Sequence, residues 1–250
     1  MKSPIRREAP GRHIDLVAAG LTFLILAALA RDLVLLLPNL DPAKIAVDYN
    51  LYVDATRRWL EGGGYYLPEQ LLGKYETLPG VILYPPTFAL AMLPFLVLPW
   101  PAYWVLPIAA VAYAVIHHRP RPVAWPGIAL CLWFPGTIVI LVAGNPVLLM
   151  IGTLALGTIW AWPSVFLVLK PSLGPFALFG IWRRSWWVAL GALILVSLPF
   201  GGAWADYVTV LLNAQGTQGL LYNLGQVPMM VLPLIVWAGR SRPLPLVAEA

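Results

Sequence analysis

Apolar positions along this chain come in long uninterrupted blocks rather than in alternating or one-sided stripes. Residues 81–116, 123–169 and 185–205 contain no Asp, Glu, Lys or Arg. About 20 such residues span the hydrocarbon core of a bilayer as a helix. The pattern therefore predicts an all-α integral membrane protein with several crossings. A first block, residues 14–37, follows a tail bearing Lys2, Arg6, Arg7 and Arg12. Its Ala28-Leu29-Ala30 resembles a leader cleavage site. Apolar sequence resumes at 33–37 after only Arg31-Asp32, however, so retention as an anchor is expected.

Between the blocks sit small basic clusters, Arg119/Arg121, Arg183/Arg184 and Arg240/Arg242, which with the tail mark the cytoplasmic side under the positive-inside rule. One transmembrane domain, 1–250, then has a cytoplasmic tail at 1–13 and outer loops at 38–80 and 201–226. Prolines 85, 86, 94, 99 and 101 break the block after the first loop. That predicts an outer juxtamembrane or re-entrant segment at 84–100 and a spanning helix at 102–116. Residues 123–142 rise again and leave Gly144-Asn145 outside. The return through 146–182 is made either by three short crossings or by one with a broken middle near Pro163 or Pro171. Residues 186–200 then exit and 227–237 return, giving about six to eight transmembrane helices. Irregular backbone at membrane depth is tolerated where protein or a water-filled cavity covers it, so the broken segments point to a cavity.

Composition agrees with lipid as solvent: 60% of the 250 residues are hydrophobic and 11% charged, with a mean hydropathy of +0.78. The net charge of +5 does not imply nucleic acid, because the basic residues lie between apolar blocks and form no continuous face. The single cysteine, Cys131, excludes an intrachain disulfide.

Chemistry is expected in the first outer loop, which holds six of the eleven acidic residues. A helix beginning at Asp48 places Asp48, Tyr52, Ala55 and Trp59 on one face and Asp54, Arg57, Arg58 and Glu61 on the polar side, and Gly62-Gly63-Gly64 ends it. Asp48 would sit at the positive helix end, where a capping role competes with a catalytic one. Lys170, isolated between apolar 165–169 and Pro171, either faces a cavity or partner or snorkels to the interface. Tyr84-Pro85-Pro86 suits a helix start and serves equally as a breaker. His117-His118 are expected to be solvated loop residues. No nucleotide-phosphate loop, dinucleotide fingerprint or zinc motif is present, which favours a donor presented by lipid.

The ordered set of Asp48 and Tyr52, Gly63-Gly64-Tyr65, Tyr84-Pro85-Pro86, Gly144-Asn145 and Lys170-Pro171 resembles the GT-C class of membrane glycosyltransferases. It is most similar to the glycosyltransferase 87 family of polyprenol-phosphate-mannose-dependent mannosyltransferases. The likeness covers roughly residues 14–226. It implies a GT-C-like bundle, a polyprenyl-phosphate-linked sugar donor, a glycan or glycolipid acceptor, and Asp48 as the base. Lys170, with Arg57 and Arg58 as alternatives, would bind the donor phosphate. Tyr52, Tyr84, Asn145 and, more weakly, Asn223 would line the sugar and acceptor sites. No cofactor is specified by these motifs. A divalent cation shared by Asp48 with Asp54 or Glu76 stays open, although their spacing makes no metal site. Members of that family are usually longer, and here the stretch from Asn145 to Lys170 is short. A partner-dependent or non-catalytic subunit therefore stands as an alternative, as does a lipid or solute transporter.

Overall fold

The computed structural model describes residues 12–77, 80–215 and 224–241. The first apolar block forms α1, Arg12–Leu36. In the following loop lie a 3-10 turn at Pro42–Lys44, α2 (Val47–Leu60), α3 (Pro68–Leu72) and the short strand β1 (Tyr75–Glu76). Next come α4 (Phe88–Met92), α5 (Ala102–His118), α6 (Trp125–Trp133) and α7 (Pro135–Ala143). Beyond Gly144 the chain forms α8 (Val147–Gly157), a 3-10 helix at Trp162–Leu169 and α9 (Gly174–Ala177). It finishes with α10 (Arg184–Ser197), α11 (Gly201–Asn213), β2 (Ala214–Gln215) and α12 (Val227–Ala238).

The all-helical expectation holds, but the count of six to eight full spans does not. Among the described residues two helical stretches, Arg12–Asn39 and Arg184–Asn213, are long and apolar enough to cross a bilayer, or three if the bent pair α6 and α7 counts as one span. Proline is the physical reason. Pro135 starts α7 immediately after Phe134 leaves helical geometry, and the two axes meet at 56°. The helices Ala102–His118, Val147–Gly157 and Val227–Ala238 are apolar but shorter. The second stretch also corrects the outer loop expected at 201–226, since residues 201–213 are helical.

At the core sits α8, buried at Val147, Leu148, Met150, Ile151, Leu154 and Ala155. A helix apolar all round is one enclosed by others. Gly152 lets α5 close on it, since a Cβ there would meet Pro107 Cα at 2.8 Å. At one end of the bundle the basic residues gather. Arg121 N donates to Gly239 O at 2.8 Å and Ser241 N to His118 O at 3.2 Å, bringing the segment after α5 beside the end of α12. His118 is buried and bonded to Thr158 Oγ1 at 2.9 Å, not solvated as its place in the sequence suggested.

Residues 162–180 form a hairpin that starts and finishes near this basic end. Ser164 Oγ donates to Ala177 O at 3.0 Å, and Gly180 is so close to Ala161 that a Cβ would come within 2.5 Å of Ala161 Cβ. These pairings put Lys170-Pro171 at the tip. Of the two return paths that the sequence allowed, the structure has α8 followed by a short up-and-down excursion of broken helix.

The opposite end is capped by the first loop. α2 buries Tyr49, Tyr52, Val53, Ala55 and Thr56; of the face expected from its periodicity Tyr52 and Ala55 are buried, while Asp48 and Trp59 are half-buried. Its polar side carries Asp54 and Arg57. α4 packs against α2 with Phe88, Ala89 and Met92 fully buried, so Tyr84-Pro85-Pro86 and the helix after it are covered by protein, whereas Pro94, Pro99 and Pro101 are exposed. β1 pairs in parallel with β2, Tyr75 opposite Ala214, and Asn213 Nδ2 donates to Gln70 O at 3.0 Å. These bonds tie the cap to the end of α11.

Candidate functional site

Beneath this cap lies a cavity of ≈ 810 Å³, reached by Asp48, Tyr52, Tyr84, Asn145, Lys170 and Lys44. The size is that of a small-molecule site.

Asp48 is in the first turn of α2, but the cap position belongs to Ala46, which has left-handed backbone (φ 59°) and no side-chain cap. The carboxylate instead turns away from its own helix. Asn145 Nδ2 donates to Asp48 Oδ2 at 2.6 Å. Asn145 is itself fixed, because its Oδ1 accepts from Val147 N at 3.0 Å and its backbone N donates to Ile140 O at 3.0 Å. The turn that presents it needs Gly144: φ is +64°, and a Cβ would meet Trp104 at 2.8 Å and Tyr49 Cβ at 2.9 Å. Ala46 N donates to Val142 O at 2.8 Å, and Trp104 Nε1 to Leu141 O at 2.7 Å. Three elements thus converge on the Asp48–Asn145 pair. Burial pushes the Asp48 carboxyl above its usual range, and the Asn145 bond partly opposes that rise.

Lys170 approaches from the hairpin tip, outside the spanning helices. Its ammonium lies 5.1 Å from the centroid of the Tyr84 ring, a cation–π distance. Burial lowers it to about 8, and among the described residues no carboxylate pairs with it. Tyr84 is held on both sides. Its carbonyl accepts from Tyr66 Oη at 3.0 Å, and Tyr52, whose Oη accepts from Leu83 N at 3.3 Å, stands edge-on to its ring at 5.5 Å. The Tyr84 hydroxyl is buried without a hydrogen-bond partner.

Of the residues read from sequence, Asp48, Tyr52, Tyr84, Asn145 and Lys170 therefore come together. Arg57 and Arg58 do not. Arg57 pairs with Asp54 at 3.1 Å on the exposed side of α2. Arg58 donates to Gly64 O at 3.4 Å and Tyr65 O at 3.1 Å, stapling the glycine turn. Residue spacing alone could not show that these guanidinium groups were already used. Asn223 lies outside the described residues. Sequence reasoning missed Lys44 and Gln226, both on the cavity wall. Lys44 stands four residues before Asp48, but only the left-handed turn at Ala46 brings both to one space. A divalent ion does not fit this donor set, since Asp48 is the single carboxylate among the lining residues; Asp54 is engaged with Arg57.

Compared with protein-family models, curated proteins and solved structures, the chain matches none. The functional reading rests on this geometry and on the motifs that compose it.

Proposed function

We propose that the protein is a multi-pass membrane glycosyltransferase of GT-C type, resembling the glycosyltransferase 87 family. It transfers a sugar, mannose in this reading, from a polyprenyl-phosphate donor to an acceptor hydroxyl at the outer membrane face, with its N-terminus cytoplasmic. The observation that carries this reading is the shared cavity: Asp48 oriented by Asn145, facing the same space as the unpaired Lys170. In this reading the shorter apolar helices complete a compact bundle around α8.

The chemistry follows from the two poles. Asp48 takes the proton of the acceptor hydroxyl as its oxygen bonds to the anomeric carbon. The bond from that carbon to the phosphate oxygen breaks, and its electron pair leaves with the polyprenyl phosphate. Lys170 faces that growing charge in a poorly hydrated site, where a fixed cation is most effective. Asn145 holds Asp48 Oδ2, leaving Oδ1 for the proton. Tyr52 and Tyr84 offer aromatic wall to the sugar, and the free Tyr84 hydroxyl can meet a sugar oxygen. A non-catalytic subunit would scatter these groups rather than gather them.

Transfer of labelled sugar from polyprenyl-phosphate-mannose by purified protein in lipid tests the proposal. Asp48→Asn at matched folding is expected to lose about 100-fold or more in rate. Equal transfer by both proteins would remove Asp48 as base, and a folded but silent wild type with mannose and glucose donors would sink the enzyme reading.

A further inference from the structure

The cavity has a side wall that a sugar phosphate does not need. Leu36 and Leu40, at and just past the end of α1, and Ile138, Val139 and Val142 on α7 form an apolar wall leading to the polar groups. Val139 lines the cavity and yet is 66% exposed, so this wall reaches the outer surface of the bundle.

A wedge between two helices accounts for the opening. α1 packs along α6 and the turn before it, and Trp133 Nε1 donates to Asp32 Oδ2 at 2.9 Å, pinning the pair just before the bend. The 56° turn then carries α7 off the line of α6, and the ends of α1 and α7 line one gap. At its start α7 packs closely on the segment before α12, because a Cβ on Gly136 would run into Gly225 O. The gap is thus apolar at the bundle surface, and the cavity behind it is lined by two ammonium groups, the exposed Lys44 and the half-buried Lys170.

We propose that the wedge between α1 and α7 is the lateral portal for a polyprenyl phosphate, its isoprenoid chain against Leu36, Leu40, Val139 and Val142 and its phosphate between Lys44 and Lys170. This rests on the lipid-linked-donor reading above and adds the route and the second cation. A single linear chain of methyl-bearing isoprene units suits a gap between two helices, and one anionic head matches the two ammonium groups. Burying the first isoprene units against these side chains removes apolar surface from lipid headgroups and water, while the cations fix the depth at which the head stops.

Photolabelling of the full chain in phosphatidylcholine nanodiscs tests the portal without requiring turnover. The probe is undecaprenyl phosphate carrying a diazirine near its phosphate. Label is expected on residues 36–40 and 138–142, and excess undecaprenyl phosphate should compete it away while an equal amount of phosphatidylglycerol does not. Val139→Trp fills the gap from an exposed position and should reduce that label by roughly tenfold, whereas Val139→Ala should keep it. Lys44→Gln should weaken competition by unlabelled polyprenyl phosphate by about tenfold, the effect of losing one charge-assisted phosphate contact. Label on α10 or α12 instead, no label, or equal competition by phosphatidylglycerol would overturn the portal. Expected labelling with no sugar transfer would remove the glycosyltransferase reading and leave the portal standing; transfer with label elsewhere would do the reverse.

Discussion

At the scale of single residues, the site is a carboxylate and an ammonium whose environments move both toward neutral pH. Burial raises Asp48 while the Asn145 bond lowers it. Because the folded value is raised, the charged form is disfavoured in the fold, and that cost is relieved as pH falls through it. A base must be charged to act, so the acid limb of kcat/KM should lie above the ordinary carboxylate range. Asn145→Ala removes the opposing bond and should move that limb to higher pH, which a pH–rate profile would read; an unmoved limb would separate Asp48 from it. For Lys170 the sign is opposite. Its value is lowered to about 8 by burial, so the cation is present below that pH and lost above it. Transfer should fall as pH rises through this region in the wild type, and Lys170→Arg, which stays charged, should flatten the fall. Asp48 was legible as a candidate from its place in the outer loop, whereas its bond to Asn145, 97 positions away, was not.

At the scale of elements, two devices set the site, and each depends on a glycine. Gly144 turns α7 into α8 and presents Asn145. Gly144→Ala meets Trp104 and Tyr49 and takes a left-handed backbone, so a loss of about 1–3 kcal/mol is expected, measured as a lowered unfolding midpoint. The hairpin 162–180 is closed by Gly180 against Ala161. Gly180→Val should splay its legs and displace Lys170, raising the donor KM more than it lowers kcat. A variant with unchanged donor KM would show that the tip is positioned by other contacts. α2 could be read in advance because its apolar and polar faces alternate with helical period. The hairpin could not, since residues 161–169 are apolar apart from Ser164 and carry no periodic mark.

For the whole molecule, the basic segments and the cavity lie at opposite ends of the bundle. That arrangement predicts opposite accessibilities. Leu72 in α3 is 87% exposed on the cap and Trp182 is 94% exposed near the hairpin base. In a Cys131→Ala background, Leu72→Cys should react with a membrane-impermeant thiol reagent from outside intact cells, and Trp182→Cys only after permeabilisation. Reaction of both from one side would break the proposed orientation. The same separation explains how a chain with few full-length helices encloses a cavity: the cap over the bundle end covers the irregular backbone at Tyr84-Pro85-Pro86.

The sequence by itself determined the apolar and helical character of this protein and named most of the polar residues that the cavity gathers. Those follow from composition, run length and local period, which the chain carries residue by residue. The tertiary structure alone decided that Arg57 and Arg58 serve the outer loop and that Lys44 joins the cavity. It also decided that Lys170 rides a hairpin tip and that the ends of α1 and α7 line one gap. Each of these depends on where backbone turns at Ala46, Phe134 and Gly180 aim distant segments. In uniformly apolar sequence such aim is set by close packing between helices, and no local pattern records it.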